Sequence, residues 1–321
     1  MRHQLIVGLT VLLLASMGEA SSRAGELLRW KLAAGQELKY VMRQKATTSF
    51  NAEGLEFEIK TEQTLDMTWM VQSVADDGAA LLAQRVDRLR LSVGLPQAGP
   101  LAGDFNYDSD AKADGSGLLW EQLKGVLTVL PGAEFLLRVS PKGDVTDIEL
   151  PAEVVKALES SPRNRRGFGG RNLLNEESIR QMLEMSVQSL PAEAADAGAS
   201  WSRKFNRKVP EVGTLAIDAA YTLGQPETIQ DRSTARIAVQ AETAFERDPE
   251  ANAQLSLELS EQKATGAVLF DAAAGHTVAS KFELYLVFDG ESMETAFTQE
   301  STTIIQLHLA GFEDALAESA E

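Results

Sequence analysis

Apolar side chains at every second position, sustained over most of the chain, restrict this sequence more than any other feature. Over residues 38–50 the even positions Leu38, Tyr40, Met42, Ala46 and Phe50 are apolar, with Glu37, Lys39, Arg43 and Lys45 among them. Strand side chains alternate between faces, so this pattern is a half-buried strand. After the turn Asn51-Ala52-Glu53-Gly54 the apolar phase runs on Leu55, Phe57, Ile59, Leu65, Met67, Trp69 and Val71, while Glu56, Glu58, Lys60, Glu62, Asp66 and Thr68 face away. The two runs are expected to pair as a hairpin. At about 3.3 Å per residue the second run is about 55 Å long, wider than an ordinary core. A bend is therefore expected, at the polar residues 61–63. In 79–93 the apolar phase on Leu82 and Val86 shifts to Leu89, Leu91 and Val93, which predicts a β-bulge.

Further along, residues 94–117 are dominated by Gly, Pro and Asp and are expected to form a long loop. Residues 118–130 have helical spacing, with Leu119, Leu123, Val126, Leu127 and Leu130 on one side. Residues 134–150 form a hairpin around Ser140-Pro141-Lys142-Gly143-Asp144, and 268–284 repeat its plan around Gly275. A short helix is expected after Pro151, and another after Asn175, with Ile179, Met182, Leu183, Val187 and Leu190 as its apolar side up to Pro191. Alternation resumes at Leu215–Leu223, Ala235–Phe245, Leu255–Leu259, Val278–Phe288 and Thr303–Leu309. Nearly every strand has one polar face, which points to antiparallel pairing. The expected fold is mainly β (α+β), with strongly curved antiparallel sheets and a few short helices at the centre. Trp30, Gly35 and Tyr40 are echoed by Trp201, Gly213 and Tyr221, a pattern consistent with a duplicated β half and equally with recurrent composition. The expected organisation is a leader at 1–20, an N-terminal β half at 25–150, a helical joint at 151–198, a C-terminal β half at 199–310 and a fraying acidic tail at 311–321.

Arg2 and His3 precede an apolar run, and Gly18-Glu19-Ala20 offers small residues for cleavage, so the first twenty residues describe a secretory signal peptide. That predicts a periplasmic or extracellular protein, soluble after cleavage. There is no cysteine, which excludes a disulfide framework, thiolate chemistry and a lipid-bearing cysteine. The net charge of −17 disfavours nucleic acid as a partner, because phosphate binding needs a basic footprint.

Several short motifs carry a family resemblance. They are Leu28-Arg29-Trp30-Lys31 with Gly35 and Tyr40, Tyr107-Asp108-Ser109-Asp110, Lys142-Gly143-Asp144-Val145, and Leu190-Pro191 leading to Gly198-Ala199-Ser200-Trp201. On these the chain resembles an uncharacterised family of secreted and lipoprotein-like proteins of planctomycete-type bacteria, known as a domain of unknown function. The resemblance implies a fold and supplies no catalytic residues. Members that carry a lipid-attachment cysteine would be tethered to a membrane, and this chain lacks one.

Two places could hold a ligand. Asp110, Asp114 and Glu121 reproduce EF-hand calcium-loop spacing, with Asp108 as an additional carboxylate, although Lys112 stands where an oxygen ligand belongs. The alternative is an acidic solvent loop. Arg163, Arg165, Arg166 and Arg171 form a basic loop suited to a carboxylate, a phosphate or an acidic partner, or else a solvated linker. His276 and His308 have no partner at zinc-ligand spacing, Ser116 lacks a nucleophile-elbow context, and Glu56, Glu58 and Glu62 should face water. The leading expectation is an exported, non-catalytic, envelope-associated binding or structural protein. The alternatives are a carrier holding an apolar small molecule such as a lipid within the curved sheet, for which Met42, Phe57, Met67 and Trp69 supply inward bulk, and a hydrolase with a carboxylate site. Ordinary core packing accounts for the same four side chains.

Overall fold

The computed structural model describes residues 25–95, 103–111, 118–160, 176–209, 212–248, 255–292 and 295–316. The expected leader therefore lies outside the described residues. The strands are β1 (Glu37–Ala52), β2 (Leu55–Val74), β3 (Ala80–Gly94), β4 (Asp104–Asp108), β5 (Glu134–Val139), β6 (Val145–Glu149), β7 (Ser200–Val209), β8 (Gly213–Ile229), β9 (Arg232–Arg247), β10 (Leu255–Asp271), β11 (His276–Ser292) and β12 (Thr295–Leu309). The helices are α1 (Leu118–Leu127), α2 (Ala152–Ser160) and α3 (Glu176–Ser186).

All the strands join one antiparallel sheet in the order β6-β5-β3-β2-β1-β12-β11-β10-β9-β8-β7, with β4 paired to β3. The expected mainly β, antiparallel fold is thus what the chain adopts, and the sheet does not close into a barrel. One core gathers Leu82 and Val86 of β3 with Tyr221 and Leu223 of β8, which stand far apart in the strand order. Only a rolled sheet brings them together. Val126 and Leu127 of α1, Val154 of α2 and Ile179 and Leu183 of α3 belong to the same core, so the helices lie on the inner face.

The bulge expected in β3 is present. Asp66 pairs with Arg88 while Met67 pairs with Val86, leaving Asp87 as the extra residue. Its carboxylate accepts hydrogen bonds from Thr68 Oγ1 at 2.6 Å and Arg85 Nε at 2.7 Å. The bend expected at 61–63 is not a break in pairing, since β1 and β2 stay in register from Glu37↔Met70 to Ala52↔Leu55. Burial changes there instead. From Leu65 onward the inward side chains are buried, whereas Phe57 and Ile59 are half-buried. The hairpin accommodates its length by running past the core.

Three other expectations are corrected. The loop at 94–117 contains β4, whose Phe105 reaches the core from a strand too short to show a period. The helix expected to run to Leu190 ends at Ser186, because the following residues leave to make other contacts: the Leu190 N–H donates to Lys142 O and the Gln188 carbonyl accepts from Trp30. The tail does not fray through Leu316. Phe312 and Leu316 pack on Leu269 and Ala279 in a second, smaller core, and Arg232 lies over the Phe312 ring at 5.3 Å.

One end of the rolled sheet is tied by a short segment. The Trp30 indole lies 6.4 Å from Trp69 and 5.7 Å from Phe270, and its Nε1–H donates to Gln188 O at 3.0 Å. Its backbone N–H donates to Pro141 O, and that of Lys31 to Gly275 O. Arg29 reaches the carbonyls of Pro191 and Ala192, and Lys31 Nζ donates to Ala272 O at 2.6 Å. The β5–β6 turn and the β10–β11 turn are therefore clamped by the same residues.

Gly143 has φ +82°, and a Cβ there would collide with the Gln188 carbonyl beside the Trp30 nitrogen. Gly35 has φ +81° with nothing within 4 Å. Gly35→Ala is expected to cost about 1–2 kcal/mol for the left-handed backbone alone. Gly143→Ala is expected to cost more than about 3 kcal/mol, because packing is broken as well. Thermal unfolding of the pair checks this, and equal Tm losses would contradict the clamp.

Candidate functional site

The inner face of the sheet has two zones. In the first, beside the clamp and helices, inward side chains such as Tyr40, Leu65, Trp69, Ile237 and Val268 are all but fully buried. Met42, Met67 and Trp69 are members of this core, so three of the four side chains singled out as inward bulk are ordinary packing. The fourth, Phe57, is in the second zone.

There the strands continue beyond the core. Directly paired residues share a face, so the register defines a belt across the sheet. Arg207 of β7 pairs with Leu215 of β8, which pairs with Phe245 of β9. The Phe245 ring meets Phe288 of β11 edge to face at 5.6 Å. Phe288 pairs with Leu259 of β10 on one side and Gln299 of β12 on the other. Gln299 pairs with Phe50 of β1, and Phe50 with Phe57 of β2, their rings 5.1 Å apart. At about 4.8 Å per strand the belt spans on the order of 34 Å along the curve. Phe245, Leu259, Phe288, Phe50 and Phe57 are half-buried, and Leu215, Leu286 and Phe297 are buried but belong to neither core. Among the described residues these belt side chains belong to neither packed cluster, unlike the inward residues beside the helices.

Between β9 and β10 the pairing covers only Ala264↔Ala241 to Phe270↔Ala235. Beyond it, at the height of the belt, the two strands run on without being paired to each other, so the sheet parts there while the Phe245 and Phe288 rings bridge the inner side.

β7 supplies the belt's cation. Its inward residues are Trp201, Arg203, Phe205 and Arg207, while Lys204 on the opposite face pairs with Asp218 at 2.8 Å. Trp201 stacks on Tyr221 at 5.5 Å and fixes which face is inward. Arg207 is exposed to solvent, yet desolvation by surrounding protein pushes its pKa down. The register places it on the inward face, across from Leu215. Sequence reading passed over β7 because arginine interrupts its apolar alternation.

Three of the four residues expected to bind calcium have ion-pair partners within the chain. Asp108 accepts both Arg88 Nε at 2.9 Å and Arg88 Nη2 at 2.6 Å, and Asp110 lies 3.3 Å from the same Nε. Glu121 pairs with Lys124 on α1 at 2.5 Å, and Asp114 lies outside the described residues. Among the described residues no three acidic or histidine side chains form a group that could hold a metal. Arg163, Arg165, Arg166 and Arg171 all lie outside the described residues. Glu58 and Glu62 sit on the outer face and pair with Lys60 and Lys45. His276 and His308 are buried, and desolvation lowers both pKa values.

The fold and belt define an open, curved antiparallel sheet with a core at one end and, among the described residues, an inward apolar belt outside both packed clusters. The chain belongs to DUF6263, a family of unknown function, whose model matches residues 97–275. No curated protein matches it. Among solved structures it is similar to lipovitellin, from a structure of lipid–protein interactions, at 12% identity and TM-score 0.44, covering 87% of this chain and 25% of that one. The chain thus spans about a quarter of lipovitellin's length. It is also similar to a DUF1329 family protein of Desulfovibrio piger, at 12% identity and TM-score 0.16 over 86% of this chain and 88% of that one. Pseudomonas aeruginosa OpdL matches at 7% identity and TM-score 0.23, over 86% and 99% of the two chains. No helix among the described residues is long and apolar enough to cross a membrane.

The Arg88 hydrogen bonds hold the Asp108 pKa down from 3.8 to about 2. A depressed carboxylate contributes stability that is complete above the unfolded pKa and is lost as pH falls toward the folded one. Carboxyl-carbon NMR is expected to give Asp108 a midpoint near 2, returning toward 3.8 in Arg88→Ala. A wild-type midpoint near 3.8 would show that the pair does not form in solution.

Proposed function

We propose that this protein is a non-catalytic carrier that holds an apolar small molecule, lipid in character, on the belt of its curved sheet. The observation that carries this is the half-buried row of Phe50, Phe57, Phe288, Phe245 and Leu259, directed inward and, among the described residues, outside both packed clusters. Covering such side chains with an apolar ligand gains about 25 cal/mol per Å² removed from water. A flexible hydrocarbon chain suits a surface that is curved, long and lined by Phe50, Phe57, Phe245, Leu259 and Phe288. The secretory leader at 1–20 supports a carrier that works outside the cytoplasm, in keeping with the expectation of an exported envelope protein.

The test uses the protein without its leader and a neutral probe, a pyrene-labelled monoacylglycerol. Binding is expected, together with lipid in an organic extract of the purified protein. Phe288→Glu places a charge in the belt and is expected to weaken probe binding at least about tenfold, a difference of about 1.4 kcal/mol. Because Phe288 is only half-buried, stability should change by less than about 1 kcal/mol. A clean extract with no probe uptake would overturn the proposal.

A further inference from the structure

Arginine at an inward position beside apolar side chains needs a reason, because desolvating a guanidinium is costly unless an anion meets it. Arg207 has no ion pair or side-chain hydrogen bond among the described residues, and no carboxylate contributes to its environment. On its own face it has Phe205, which is 38% exposed, and across the ladder Leu215. Arg203, one step along the same face, lies close enough to Tyr221 to act on it electrostatically, so the positive charge is reinforced rather than neutralised. The outward lysine of this strand, Lys204, already has its carboxylate in Asp218. In a chain of net charge −17, two inward arginines on one edge strand form a local reversal of sign at one end of an apolar belt.

We infer that the belt takes a long-chain amphiphile with an anionic head group, whose carboxylate or phosphate is held by Arg207 while its chain lies along Leu215, Phe245 and Phe288. The inference rests on the carrier function proposed above and adds the class of ligand. A guanidinium fork presents two parallel N–H donors to such a head group, and the exposure of Arg207 leaves that fork reachable on the face it shares with Leu215. Inward charges on an edge strand can also serve only to prevent edge-to-edge association. The two roles differ in what they predict, since edge protection is blind to the ligand's head group.

Binding of a pyrene-labelled fatty acid and its methyl ester is measured at pH 7.5 to the leaderless full chain, to Arg207→Gln and to Arg207→Lys. The acid is expected to bind the wild type roughly tenfold or more tightly than the ester. Arg207→Gln should remove that preference, weakening acid binding at least about tenfold more than ester binding, with ester binding still detectable showing that the variant keeps its belt. Arg207→Lys should keep part of the preference. Inorganic phosphate at millimolar concentration should not displace the acid. Equal binding of acid and ester to the wild type, or an acid preference that survives Arg207→Gln, would overturn the head-group assignment and leave the carrier function standing. Displacement by inorganic phosphate would overturn it in favour of a simple anion site. Failure of both probes to bind would overturn the carrier function and the assignment together. Association of Arg207→Gln into dimers with unchanged head-group preference would assign the arginine to edge protection instead.

Discussion

Trp30 packs its indole among Trp69 and Phe270 and donates its N–H to Gln188, and the geometry of the whole molecule follows from that contact. A twisted sheet of this many strands has no intrinsic reason to stop rolling at one curvature. Here Leu28 to Lys31 tie the β5–β6 turn, the β10–β11 turn and the segment after α3 at one point, so strands remote in the sheet order meet over one core. The buried indole N–H and the glycine turns leave little room for alternatives. Gly143 is where it is because any side chain there would displace the Gln188 carbonyl that Trp30 requires.

Closing one end creates the opposite situation at the other. The long strands β1, β2, β10, β11 and β12 carry inward residues that, among the described residues, join neither packed cluster. On β1, β2 and β12 some of those positions turn polar, with Thr48, Thr61, Ser301 and Gln299 on the inward face. At the height where β9 and β10 separate, the chain nevertheless keeps Phe245, Leu259, Phe288, Phe50 and Phe57 on that face. Retaining apolar surface that the fold does not bury is unfavourable in water, and the proposed ligand is what would bury it. The charge on β7 then has a natural place, at the end of the apolar belt rather than within the core.

Much of the fold was legible because the period of two is a direct imprint of strand geometry. The phase shift between Val86 and Leu89 located the Asp87 bulge to within a residue. β4 was missed because five residues hold too few alternations to show, and β7 because Arg203 and Arg207 occupy positions where the pattern demands apolar groups. The belt was harder still. Phe57 and Trp69 look alike along one strand, yet one is half-buried and the other fully buried, and the difference depends on how far the helices reach. The two hairpins that echo each other in sequence occupy different places, one at the sheet edge and one well inside it, and are joined by the clamp. Local pattern records which side a residue faces, whereas what covers that side is set by contacts between segments far apart in the chain.

The central claim is that one end of the inner face is filled and the other is a binding surface. Paramagnetic relaxation from a fatty acid bearing a nitroxide at its chain terminus tests it directly, read on methyl resonances of the chain from residue 21 onward. Broadening confined to Leu215, Leu259 and Leu286, with Leu82, Leu137 and Val154 unaffected, is the predicted result. Broadening of outer-face methyls alone, or of none, would contradict the account.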